Sequence, residues 1–191
     1  MKYKSSDIFT PQGLLSHVEK NPNLDFLMNI FNIPRAFGVS GFGGGWNVGM
    51  HSVATAFIAL YWARFNKFTP ERTNELVTHA LLHDIHESVT GDILPMFKAA
   101  QVKKDLDAIQ SKIIKALRVK WNEDCEVDLK ICDLISFLYE IKQVSPNILQ
   151  IKKLALAKLI AEKQRVILFS YAKEKSISDN RLKKFLRELE L

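Results

Sequence analysis

Apolar positions recur at helical intervals along most of the 191-residue chain, and two-residue alternation is nowhere sustained, so the pattern predicts an all-α fold. From Leu14 to Phe31 the helical spacing is interrupted at Asn21-Pro22-Asn23, which predicts a short helix followed by a second. A Gly-rich loop runs from Gly38 to Gly49, and Asn47 is placed to cap a helix reaching about Phe65. Thr69-Pro70-Glu71 combines a capping hydroxyl, a proline at the first helical position and an acid in the first turn. A helix is expected from there through Leu82 to about Glu87. Thr90 to Pro95 reads as a loop, and Lys103 to Trp121 and Val127 to Gln143 read as helices. Ser145-Pro146-Asn147 starts a long helix to about Lys173, and Ser178-Asp179 starts the last one.

The chain is 47% hydrophobic with 12 Phe, enough to build a core without disulfide or metal staples, and its length suits one domain over residues 1–191. Ala36 to Ala63 holds no charged side chain, but its apolar part, Val53 to Ala63, is 11 residues, short of the ~20 that span a membrane. It is expected to be a buried helix, and the N-terminus lacks the apolar run of a signal peptide. Cys125 and Cys132 would lie about 10.5 Å apart on one helix, too far to bridge, and read as reduced thiols of a cytoplasmic protein. Charge is split: residues 1–97 carry a net −1 and residues 98–191 a net +7. A basic half suits an anionic partner such as a nucleotide or nucleic acid; it equally suits Lys-rich solvated helix faces.

Five histidines exist, His17, His51, His79, His83 and His86, and three of them fall within eight residues. His79 and His83 form an i, i+4 pair of the kind that can share a metal. The richer string is His83-Asp84-Ile85-His86-Glu87, followed by Gly91-Asp92. On a continuous helix Glu87 would stand one turn from His83 and Asp84, putting an imidazole and two carboxylates on one face. Imidazole nitrogen and anionic oxygen together suit a borderline divalent cation, and neighbouring acids suit the activation of water. His79 and His86 are expected to pack or support rather than to ligate.

His51, then His83-Asp84, then Asp133 resembles the HD superfamily of metal-dependent phosphohydrolases, and within it the bacterial 5′-deoxynucleotidases and phage dATP triphosphohydrolases. The elements are Asn47-Val48-Gly49-Met50-His51-Ser52; Leu82-His83-Asp84 through Glu87 to Gly91-Asp92, with Lys98 six residues on; Lys130-Ile131-Cys132-Asp133; and Arg35, sixteen residues before His51. They span about residues 30–143, with the helices of 147–191 expected to pack on that part.

The resemblance implies one divalent metal ion (Co, Mn, Zn or Mg) held by His51, His83, Asp84 and Asp133, with Glu87 and Asp92 acting on the attacking water. It assigns Arg35, Lys98 and Lys130 to the substrate phosphate. The family's Trp after the arginine, which contacts sugar and base, is replaced by Ala36, so Trp46 from the Gly-rich loop is the candidate for that space. An acid usual before the first His is here Met50. The implied partner is a small-molecule deoxynucleotide and the implied assembly a homo-oligomer. The implied activity is release of phosphate from a deoxynucleoside 5′-monophosphate; the alternative is release of triphosphate from a dNTP. A third reading, a non-catalytic nucleotide or nucleic-acid binder, meets two objections: Glu87 and Asp92 repel phosphate without a metal, and the basic segments lack interleaved aromatics.

Overall fold

Side-chain caps set where the helices begin. The computed structural model describes residues 24–35, 45–93, 99–144 and 151–191, together with Gly13 and Ser16. Asn47 accepts from the Met50 N–H at 2.8 Å, Thr69 from Arg72 at 3.3 Å and Ser178 from Arg181 at 3.4 Å. Each satisfies one of the amides a helix start leaves open. The main helices are α1 (Leu24–Met28), α2 (Val48–Asn66), α3 (Pro70–Leu82), α4 (Glu87–Thr90), α5 (Ala100–Ala116), α6 (Glu126–Val144), α7 (Ile151–Glu174) and α8 (Asp179–Glu188). Short 3₁₀ turns occupy Asn29–Asn32 and Glu123–Cys125. Among the described residues the only β feature is an isolated antiparallel bridge, Pro34 to Asn47. The expected all-α class holds.

Two helix ends differ from expectation. The helix from Thr69 stops at Leu82, and His83–His86 are turns before α4 opens at Glu87. The cause is local: the His83 ring donates from Nδ1 to the Ala80 carbonyl at 2.8 Å, the group the Asp84 amide would need to continue the helix. His83, Asp84 and Glu87 therefore do not share one helical face. The helix expected to reach Trp121 ends at Ala116, where Arg118 turns left-handed (φ 56°) and the Leu117 and Val119 amides close back on Ile113 and Ile114. Trp121, freed from the helix, stacks on His79 with ring centres 4.0 Å apart. The Ser145-Pro146-Asn147 start, and most of the Gly-rich loop, lie outside the described residues.

Helices α2, α3, α6, α7 and α8 bury one core. Trp62, Leu76, Ile131, Ile135, Leu168 and Phe185 are almost fully excluded from solvent, and Trp62 meets Phe185 edge-on at 4.9 Å. A second cluster, with Ile30, Val48, Ile85 and Ile113, joins the N-terminal segment and α5 to the turn after α3. That turn is tied down from outside, since Asn29 donates to the Ser88 carbonyl at 2.7 Å. The same N-terminal segment is pinned to α2: the Arg35 amide donates to Trp46 at 3.1 Å and the Val48 amide to Ile33 at 3.0 Å. Gly49 makes the close approach possible, because a Cβ there would meet the Phe31 ring at 2.5 Å. Cys125 and Cys132 are buried free thiols. No helix among the described residues is long and apolar enough to cross a membrane.

Candidate metal centre

Three separate pieces of chain converge where α2, the turn after α3 and α6 meet. His51 comes from the first turn of α2, His83 and Asp84 from the turn, and Asp133 from the second turn of α6. Their donor atoms lie close together. His51 Nε2 is 3.1 Å from His83 Nε2, 3.2 Å from Asp133 Oδ1 and 3.6 Å from Asp84 Oδ2. His83 Nε2 is 3.2 Å from Asp84 Oδ2 and 3.8 Å from Asp133 Oδ1. Bonds of about 2.0–2.2 Å to a divalent cation put the corners of a tetrahedron about 3.3–3.6 Å apart, so these separations suit one.

The orientation of the two rings makes the stronger case. His51 donates from Nδ1 to a carboxylate oxygen of buried Glu140, with Ser136 Oγ 3.2 Å from the same nitrogen. His83 donates from Nδ1 to the Ala80 carbonyl. With both Nδ1 protons engaged, both Nε2 lone pairs face one point, and at 3.1 Å they repel unless a cation or a proton lies between them. The donor set therefore fits a divalent metal.

Without the metal, protons take that place. Burial works against a charged His83, but Asp84 and Asp133 outweigh it and raise its pKa to about 10. His51 is also raised: burial and the Arg35 charge oppose its proton, and the bonds to Asp133 and Glu140 more than offset them. Burial would raise Asp84 and Asp133 too. The facing imidazoles, with Lys130 for Asp133, instead hold both well below the usual carboxylate range.

Metal binding should accordingly release protons. At pH 8 the metal-free protein carries the His83 proton, so Zn²⁺ should displace about one proton or more, read by calorimetry in buffers of different ionisation enthalpy. The stability of the metal-free protein follows the same sign. The imidazole contribution is full below pH 6.5 and is lost as pH rises through about 10. That of Asp84 and Asp133 is present above 3.8 and is lost as pH falls through their depressed values.

The other expected residues divide. Glu87 is buried, and its carboxylate belongs to a group with Asp84 and His86 whose ligand atoms lie within 4.8 Å of one another. Asp92 is half-buried and close enough to raise the Arg35 pKa. Arg35 Nη1 is 3.6 Å from Asp84 and its Nε 3.6 Å from Glu140. Burial disfavours its charge, but Glu140, Asp84, Asp92 and Asp133 more than compensate. Lys130 sits on the other side, its amine 2.7 Å from Asp133 Oδ2, which raises its pKa. Lys98 and Ala36 lie outside the described residues.

Trp46 packs edge-on against Tyr139 at 6.1 Å and lines an apolar groove of about 660 Å³ with Met50, Phe57 and Tyr61. None of the four converging donors lines that groove. His79 turns away, stacked on Trp121 and accepting the Asn122 amide at 3.3 Å, and His86 donates to Gln110 at 2.7 Å. Glu140 escaped sequence reasoning. Its only local signal is that Asp133, Ser136 and Glu140 recur at i, i+3 and i+7, a polar stripe within the otherwise largely apolar stretch from Ile131 to Ile141.

Comparison with known proteins adds to this geometry. The model of a family described as "HD domain" matches residues 48–155. No curated protein sequence gives a significant match. Among solved structures, the chain is similar to the HD phosphohydrolase DatZ of cyanophage S-2L, bound to dA and one catalytic Zn²⁺ ion. The TM-score is 0.65 and the identity 16%, over 89% of this chain and 98% of that one. At that identity the likeness establishes a shared fold.

Proposed function

Because the chain belongs to the HD domain family, we propose that it is a metal-dependent phosphohydrolase that removes phosphate from a 2′-deoxynucleoside 5′-monophosphate. The observation that carries this reading is the meeting of the His51 and His83 Nε2 atoms with Asp84 and Asp133 beside the Arg35 guanidinium. His51, His83, Asp84 and Asp133 would hold one divalent ion (Co, Mn, Zn or Mg). When bound, such an ion lowers the pKa of a water and neutralises charge on phosphate oxygens.

This chain's own groups do the rest. Glu87 takes the proton of the attacking water, and Asp92 helps to place that water. The water oxygen bonds to phosphorus, the bond from phosphorus to the 5′-oxygen breaks, and that oxygen leaves with the proton that Glu87 took from the water. Arg35, with Lys130 and Lys98, binds the phosphate oxygens. Trp46 is assigned to the nucleoside end, a role supported by its backbone bond to Arg35. A deoxynucleoside is the ligand of the DatZ relative, which supports the sugar assignment.

A second reading keeps the centre and takes a dNTP, releasing triphosphate. It is favoured by the depth of the two described cations: the Arg35 side chain is 15% exposed and that of Lys130 is 49% exposed, a spread suited to a longer phosphate chain. Self-association is proposed through the exposed side of α2, where Phe57, Leu60 and Tyr61 face outward, in a cytoplasmic protein.

The deciding experiment incubates the Zn²⁺-, Co²⁺- or Mn²⁺-loaded protein with dAMP and dATP and resolves the products. Phosphate from dAMP with dATP untouched supports the first reading. Triphosphate from dATP with dAMP untouched replaces it with the second. Metal-independent binding with no product leaves only a binding protein.

A further inference from the structure

Glu140 stands out because nothing local accounts for its burial. A carboxylate is among the costliest groups to enclose, yet this one, toward the C-terminal end of α6, has no solvent exposure. Its two oxygens have different partners. Oε1 accepts from His51 Nδ1, and Oε2 faces Arg35 Nε at 3.6 Å. The first partner presents a ligand nitrogen to the metal position on its other side. The second sends Nη1 toward Asp84, 3.6 Å away, on the rim of the same position. His51 rides on α2, and Arg35 on the segment bridged to it, so one carboxylate on a third element contacts both.

We infer that Glu140 is a positioning residue that joins the two halves of the site, one oxygen fixing His51 as an Nε2 ligand and the other holding the Arg35 guanidinium beside the metal position. The inference rests on the reading that the cluster holds a cation and that Arg35 meets phosphate. Both oxygens are required by charge and donor count. The His51 Nδ1–H needs an acceptor, and the Arg35 guanidinium, in ion-pair contact at 3.6 Å, needs a negative charge; a carboxylate supplies both. A glutamine of the same size offers one acceptor, and its NH₂ must then face either the imidazole N–H or the guanidinium.

Glu140→Gln therefore separates positioning from packing. Zn²⁺ affinity, read by competition with a chromophoric chelator, should fall about 10–100-fold, as for other partners of a ligating histidine, or the zinc-loaded protein should lose affinity for inorganic phosphate. In the double variant with Arg35→Ala, the phosphate loss should be no greater than for Arg35→Ala alone, because the two act as one unit. In the zinc-loaded wild type, ¹⁵N spectra should show His51 bound through Nε2 with its proton on Nδ1.

Zn²⁺ and phosphate affinities unchanged in Glu140→Gln overturn the inference. So does ligation of His51 through Nδ1, a result available even if the variant fails to fold. A wild type that binds zinc and phosphate but hydrolyses no deoxynucleotide removes the proposed substrate and leaves the role of Glu140 standing. A wild type that binds no zinc overturns both.

Discussion

Glu87→Gln should lower kcat by about 10²–10⁴ while the metal remains bound, the range typical of losing a general base. The geometry is the reason for separating these two readouts. The Glu87 carboxylate is buried in the group with Asp84 and His86, whereas His51, His83 and Asp133 form the other. Glutamine preserves volume and much of the hydrogen bonding, so the helical fold should survive and the lost property is basicity. Zinc content by elemental analysis should match wild type, and KM for the hydrolysed deoxynucleotide should change far less than kcat. A kcat close to that of wild type would mean that Glu87 serves only the packing of α4.

Asp133→Ala should go further and remove the metal itself. Asp133 supplies an oxygen 3.2 Å from His51 Nε2 and is the single contribution of α6 to the donor set. With the proposed ligand set, its loss takes away an anionic ligand, which should cost more than the ~10–100-fold in affinity that follows loss of an outer hydrogen-bond partner. It also leaves Lys130 without its 2.7 Å partner, adding a positive charge at the edge of a cation site. Metal content and activity should vanish together while the far-ultraviolet circular dichroism stays helical. His79→Ala, by contrast, should keep the metal, since His79 lies against Trp121 away from the cluster. Full occupancy in Asp133→Ala would remove Asp133 from the ligand set.

The helical class and most helix starts were legible in the sequence because they depend on neighbours. Asn47, Thr69 and Ser178 act on amides within three residues. The convergence of His51, His83, Asp84 and Asp133 was suggested by a motif pattern, and the structure brings the four together. Two features were not legible. The break after Leu82 depends on which nitrogen of His83 finds the Ala80 carbonyl, and a periodic pattern carries no such information. Glu140 meets His51 across 89 positions of sequence, so its stripe with Asp133 and Ser136 acquires meaning only when α2 and α6 lie side by side. Arg35 was expected to clamp phosphate, and the structure adds that two acids of the site already hold its guanidinium.

The bridge between Pro34 and Asn47 bears on how such a site tolerates change in chain length. The segments on either side of it are joined by backbone bonds and by the seat of Phe31 over Gly49. The entropy of closing a flexible loop grows only with the logarithm of its length, so a doubling costs about 0.6 kcal/mol. Where the stretch between two such anchors is flexible, residues can be gained or lost there at small cost while the anchored groups keep their separation in space. In this chain the separation of Arg35 and His51 is thus set by the pairing of the segments that carry them rather than by the number of residues between them.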